Sequence, residues 1–249
     1  MKKQSTGLVL QSLKYALVLL LFSALSVLAN SLLKLNDDMA LAVQAICFLL
    51  SSAAGLFIMK SKQTLASYGV TLTALNKTNT KKVLWFLPLV AVEAVRLTLG
   101  FDTSIKINTV IVTLIMMLFA GISEELFFRG LILKTLEKKG IKYAILSSSV
   151  IFSLTHLGNL MTGTDFVLTL VQIVFAVIFG FVAAEIAIIT KTIIPLIIWH
   201  VLHNFIARTT VQGEVNNVLW IILIQCIILA VYALYLWIKG VNEQNLTEM

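Results

Sequence analysis

Eight apolar stretches divide this chain: Gly7 to Ala29, Met39 to Met59, Val83 to Gly100, Asn108 to Leu136, Ile141 to Leu157, Phe166 to Thr190, Thr192 to Ala207 and Asn217 to Ile238. Most are long enough, at about 20 helical residues per crossing, to traverse a hydrocarbon core. In that medium the backbone must satisfy its own hydrogen bonds, which leaves helices or a closed β-barrel. The alternation of a barrel strand is absent, so the sequence predicts an all-α polytopic bundle of about eight transmembrane helices. Charged residues make up 12% of the chain, against roughly 25% in an average soluble domain, and they cluster between the stretches. We read residues 1–249 as a single integral membrane domain.

Orientation follows from the basic residues. If the eight helices alternate, Lys2, Lys3, Lys14, Lys60, Lys62, Lys77, Lys81, Lys82, Arg129, Lys134, Lys138, Lys139, Lys142, Lys191 and Lys239 fall on one side. Only Lys34, Lys106 and Arg208 fall on the other, so the positive-inside rule makes both termini cytoplasmic. The net charge of +7 is spread between helices, which suits anionic lipid headgroups and argues against nucleic acid as a partner. The N-terminal stretch resembles a signal peptide but lacks a convincing cleavage site, so we read it as a retained helix. Cys47 and Cys226 lie in apolar segments, and no disulfide is expected. Between Lys60 and Lys82, "LASYGVTLTAL" is compatible with a short surface helix or an irregular loop. The sixth and seventh stretches are divided only by Lys191 and by Pro195, which suits either a first helical turn or a bend.

Within this apolar frame a few ionisable residues stand out, because an unpaired charge in mid-membrane costs a few kcal/mol and marks a functional candidate. Glu93 and Arg96, three apart, suit a structural ion pair. Glu185 is left open. In "AGISEELFFRG", Ala120 to Gly130, Glu125 and Arg129 are four apart in the favourable order and can pair on one face. Glu124 points about 100° away, with Ala120, Gly121, Phe127 and Phe128 at the neighbouring helical positions. It is the charge left over. A carboxylate in an apolar surround is a candidate general base or acid near neutral pH.

The chain has three histidines, His156, His200 and His203, and all are in apolar stretches. Counted from the turn near Lys139 and Gly140, Glu124 and His156 lie at similar heights on adjoining helices, about 22 to 24 Å up at 1.5 Å per residue. His200 and Asn204 share a helix face and can together donate two hydrogen bonds to one oxygen. His203 points partly away and replaces His200 only if the helix is rotated, yet only His200 has an asparagine four residues on.

These residues resemble the CAAX protease and bacteriocin-processing (Abi) family of intramembrane proteases. The family's marks are Glu-Glu-x-x-x-Arg, Phe-x-x-x-His and His-x-x-x-Asn. Here they read Glu124, Glu125 and Arg129; Phe152 and His156; and His200 and Asn204, all in family order within a core of residues 108–207. The resemblance implies hydrolysis of a peptide bond inside the membrane. Glu124 would activate water with His156 beside it, and His200 and Asn204 would stabilise the oxyanion. Glu125, Arg129 and Phe152 would support them. Zinc is the cofactor to consider, with Glu124, His156 and His200 as its candidate ligands. Against it stand the absence of HExxH and the dispersal of the ligands, so metal-independent glutamate chemistry is the preferred expectation.

The expected partners are a peptide or membrane-protein substrate and membrane lipids, with the protein multi-pass in the cell membrane. Bacterial members of the family, which this lysine-rich, single-domain chain resembles, are linked to peptide maturation and bacteriocin self-immunity rather than to prenylated protein. Two other classes compete. An ion- or proton-coupled transporter would need polar residues across both membrane halves, and a non-catalytic immunity or scaffold protein would keep the motifs without cleavage.

Overall fold

The computed structural model describes residues 2–211 and 215–242. Every one of the eight apolar stretches contains a helix: α1 (Lys2–Leu33), α2 (Asp37–Lys62), α3 (Leu87–Leu97), α4 (Ile107–Lys139), α5 (Ile141–Thr155), α6 (Phe166–Thr190), α7 (Ile194–Thr209) and α8 (Val215–Leu236). The protein is a polytopic helical bundle. By length and composition α1, α2, α4, α6 and α8 qualify as membrane spans, α8 through Val241. Their outward faces carry rows of exposed apolar side chains, such as Leu10, Leu17, Leu21, Leu28 and Leu32 on α1 and Trp220, Ile227, Val231 and Leu234 on α8. Apolar surface of that extent is stable only against lipid.

The third stretch departs from expectation. It is not one span from Val83 to Gly100, because Leu84, Trp85 and Phe86 take left-handed backbone conformations with φ of 50°, 54° and 61°. Pro88 then stands in the first turn of an α3 only 11 residues long, about 16 Å at 1.5 Å per residue. That is roughly half a hydrocarbon core. Contacts from α8 flank and follow the break: Tyr232 donates to the Val83 carbonyl just before it (2.6 Å) and Gln225 to that of Val92 within α3 (3.0 Å). Glu93 and Arg96 also depart from expectation. They do not bond to one another but each reaches across to α7 or its end, Arg96 donating to the Ala207 carbonyl and to Thr210 Oγ1. A guanidinium there sits at the negative end of the helix dipole.

The long polar connection after α2 is neither free loop nor surface helix throughout. Leu65–Tyr68 form one 3₁₀ turn closed by Gly69 at φ 81°, and a short helix, Lys77–Lys82, follows, capped by the Asn76 side chain. Between them the chain docks on the α6–α7 turn, where Ile193 N–H donates to the Gly69 carbonyl (2.9 Å) and the Thr192 hydroxyl to that of Thr71 (2.5 Å). Lys191 makes that turn in the left-handed region, φ 57°, and Pro195 sits in the first turn of α7. Pro195 therefore starts a helix and does not bend one, since its missing N–H falls where no intrahelical bond is due.

α4 runs through the centre, packed against α2 on one side and α7 on the other, while α5 pairs with α6 and α6 with α8. The core gathers round the second half of α4, from Leu126 to Leu133, and the second half of α6, from Val182 to Ile189. Residues Leu126–Ile132 of α4 form a π-helical segment, wider than the α-helix around it. Next to it, Ser123 donates to Ser51 Oγ on α2 (2.7 Å), which closes a buried polar contact between the two helices.

The approach of α7 to α4 depends on Gly121. A Cβ built there would lie 2.7 Å from Val201 Cγ2 and 3.3 Å from the Val201 backbone nitrogen. A larger residue must push α7 away. We expect Gly121→Val to lower stability by about 1–3 kcal/mol, the usual range for overpacking, read as a fall in melting temperature in detergent. An equally bulky change at Gly7, where a Cβ would meet nothing within 4 Å, should leave the melt unchanged.

Candidate active site

The two adjacent glutamates at the end of the regular part of α4 have opposite surroundings. Glu125 is completely buried, and its Oε1 accepts from Arg129 Nη1 (2.9 Å) and from His200 Nδ1 (2.8 Å). The Arg129 guanidinium, 1% exposed, lies over the Phe152 ring with its central carbon 4.4 Å from the centroid. Such a charge is tolerable in a bundle only because it is paired and stacked. Glu124 keeps 18% of its side chain exposed, and its Oε2 lies 3.7 Å from Nε2 of His200. His200 thus stands between the two carboxylates, its Nδ1 proton committed to Glu125 and its other nitrogen turned to Glu124.

Phe152 is the aromatic hub of the site. Its ring meets those of Phe128 (5.0 Å), His156 (5.2 Å) and His200 (6.0 Å) edge to face, and it stacks on Phe179 (6.1 Å). Both histidines therefore flank one ring, across which α5 and α7 are held in register. Edge-to-face packing of this kind is worth about 0.5–1.5 kcal/mol per pair beyond simple burial. The close fit of α5 to α6 relies on Gly180, where a Cβ would come within 3.1 Å of the Phe152 ring and 3.2 Å of Ser149 Cα.

Of the residues singled out from the sequence, Glu124, Glu125, Arg129 and His200 are in direct contact, with Phe152 and His156 beside them. Asn204 is one turn beyond His200 on α7, half-buried, and its side chain makes no hydrogen bond among the described residues. His156 ends α5 and forms no ion pair with Glu124 among the described residues. His203 belongs elsewhere. Its Nδ1 donates to Glu93 Oε1 (3.0 Å), which also accepts from Trp199 Nε1 (2.8 Å), and its ring stacks on Phe175 at 5.0 Å. That cluster fastens α3 and α6 to α7 and explains why α7 presents His200, not His203, to α4. Glu185 lies fully buried on α6.

Sequence reasoning missed Gln172 and Asn159. Asn159 Nδ2 donates to Gln172 Oε1 (2.7 Å), and Gln172 Nε2 lies 3.4 Å from Nδ1 of His156. The signal was present: a carboxamide in the most apolar stretch of the chain has to bond to something. The connection between Glu125 and His200 was also missed, because spacing within one helix reveals Arg129 as a partner and says nothing of a side chain 75 residues on.

With this geometry in hand, comparison is informative. Residues 106–206 match the family model Rce1-like, type II CAAX prenyl endopeptidase Rce1-like. This segment is similar to the CAAX-type endopeptidases. The match spans α4 to α7, from just before Ile107 to Ile206, and takes in every motif residue from Glu124 to Asn204. No curated protein and no solved structure matches the chain significantly. The similarity is thus to an endopeptidase family, in a chain with five helices long and apolar enough to cross a membrane.

Among the described residues no three of His, Cys, Asp and Glu come together as a metal would require. His200 has the carboxylate partner on Nδ1 that metal-bound histidines commonly have, and Glu124 Oε2 lies 3.7 Å from its Nε2.

The division of labour between the glutamates is testable by stability. Removing one partner of a buried pair typically costs about 3–5 kcal/mol. Glu125→Gln should therefore lower the melting temperature sharply, by leaving Arg129 buried without its countercharge. Glu124→Gln, at a partly open position, should melt close to wild type in the same detergent.

Proposed function

We propose that this protein hydrolyses a peptide bond of a membrane-associated peptide or membrane-protein segment in the cell membrane, with Glu124, His156, His200 and Asn204 as its catalytic residues. One observation carries the reading: of two adjacent carboxylates, Glu125 is spent on Arg129 and His200, while Glu124 stays accessible beside His200. A carboxylate already accepting two charge-assisted hydrogen bonds is a poor base. Its neighbour is the one free to take a proton.

In the reaction Glu124 accepts a proton from water as the water oxygen bonds to the carbonyl carbon. The carbonyl electron pair moves onto its oxygen, giving a tetrahedral oxyanion. Collapse re-forms the C=O bond and breaks the C–N bond, and Glu124 passes its proton to the departing amine. Such proton transfer by a placed group supplies about 10²–10⁴-fold. His156 steadies the attacking water. His200 and Asn204, one turn apart on α7, donate to the oxyanion.

Because Nδ1–H of His200 is given to Glu125, donation to the oxyanion must come from Nε2. The ring then carries both protons, and carboxylates at 2.8 and 3.7 Å supply the countercharge. Glu125 is thus a positioning residue that aims His200. No step is routed through a metal.

The test uses purified protein in liposomes with a library of membrane-associated peptides. Wild type should cleave, cleavage should survive chelation, and Glu124→Gln should lose about 100-fold or more of the rate, in keeping with a general base. Full activity in Glu124→Gln, or activity that disappears with chelator and returns only with zinc, would contradict the mechanism.

A further inference from the structure

His156 reaches the site through a device that none of the family motifs contains. It closes α5 at the point where the helix tightens into a 3₁₀ segment, His156–Thr162. Three residues on, Asn159 turns its amide towards α6 and donates to Oε1 of Gln172 at 2.7 Å. With its oxygen turned to Asn159, Gln172 presents its NH₂ group to His156, and Nε2 of the amide stands 3.4 Å from Nδ1 of the ring. An N–H donor facing a ring nitrogen requires a lone pair there. The proton of neutral His156 must then sit on Nε2, the nitrogen with no protein partner among the described residues.

The geometry points to Gln172 as a positioning residue that, braced by Asn159, holds His156 in the Nε2–H form and makes it a hydrogen-bond donor to the reaction rather than a base. The inference rests on the reading of His156 as part of the active site. Two histidines of one site are thereby set by opposite partners. A carboxylate on α4 accepts from Nδ1 of His200, whereas a carboxamide on α6 donates to Nδ1 of His156. The consequence is chemical: with His156 unable to accept a proton through Nε2, proton abstraction from water falls to Glu124 alone. His156 can instead hold the water oxygen by donation and turn one of its hydrogens towards the carboxylate.

The pairing also anchors the site's far wall. Gln172 lies on the same helix as Phe175 and Phe179, whose rings pack on His203 and His200. A shift of α6 would therefore disturb the orientation of both histidines together.

The test reads the tautomer directly. The chain contains only three histidines, so ¹⁵N-histidine labelling of the full-length protein in lipid nanodiscs gives three ring systems, assigned by single substitutions. Wild-type His156 should show a protonated Nε2 and a bare Nδ1. Gln172→Glu keeps the shape but places an acceptor at Nδ1, and should move the proton of His156 to Nδ1. The same variant should lower kcat roughly tenfold or more, as loss of a ring-orienting partner does, with little change in KM. Asn159→Leu, which frees the Gln172 oxygen, should give a mixture of both forms. An Nδ1–H His156 in wild type, or a Gln172→Glu protein whose His156 tautomer is unchanged, would overturn the inference. These spectra do not depend on turnover, so a failure of the proposed peptidase reaction would show separately, as full activity in Glu124→Gln.

Discussion

The site is organised round one buried carboxylate. Glu125, with no exposed surface, bonds to Arg129 on its own helix and to His200 on α7, and through them it fixes both an element and the orientation of an imidazole ring. Arg129 in turn lies on Phe152, so the same carboxylate reaches α5 by way of a stacked cation. In a lipid-embedded bundle there is little hydrophobic drive to bring helices together, and polar pairs and close backbone approach have to do so. The Glu125 network supplies the first and Gly121, with Gly180, the second. Glu124 can then remain open to substrate because it is relieved of any structural duty.

Around that centre the rest of the fold serves to hold α7. Its start is pinned by the loop after α2, through Gly69 and Thr71, and its end by Arg96 on α3. Its middle is gripped by Glu93, which binds Trp199 and His203. Together these contacts set the rotation of α7 about its axis. That rotation decides which histidine faces α4, because His200 and His203 lie only about 60° apart round the helix. The short α3, only 11 residues long, thus acts as a clamp on α7.

Much of this was legible in the sequence, for physical reasons that also mark the limits. Apolar runs longer than a membrane is thick gave away a helical bundle, and all eight contain a helix. The pairing of Glu125 with Arg129 follows from helical spacing, and the isolation of Glu124 from the same geometry. What was illegible depends on contacts between distant segments. Nothing in "VLWFLPLV" announces three left-handed residues, next to which Val83 accepts a hydrogen bond from Tyr232 on α8. Glu93 and Arg96 have ideal spacing for each other but bond instead to partners on α7 and at its end, which local spacing cannot reveal. The bond from His200 to Glu125 and the Gln172–His156 pairing likewise arise only when α4, α5, α6 and α7 are assembled.

The central claim is that a peptide bond is attacked beside Glu124, under donors from α7. It is tested most directly by an experimental structure of the Glu124→Gln protein in lipid with an uncleaved membrane peptide bound. The account predicts the scissile carbonyl carbon within about 4–5 Å of the residue 124 side chain, room enough for one water at near-attack distance, with its oxygen turned towards His200 and Asn204. A peptide bound against the outer face of α1 or α8, or with its carbonyl turned away from α7, would contradict it.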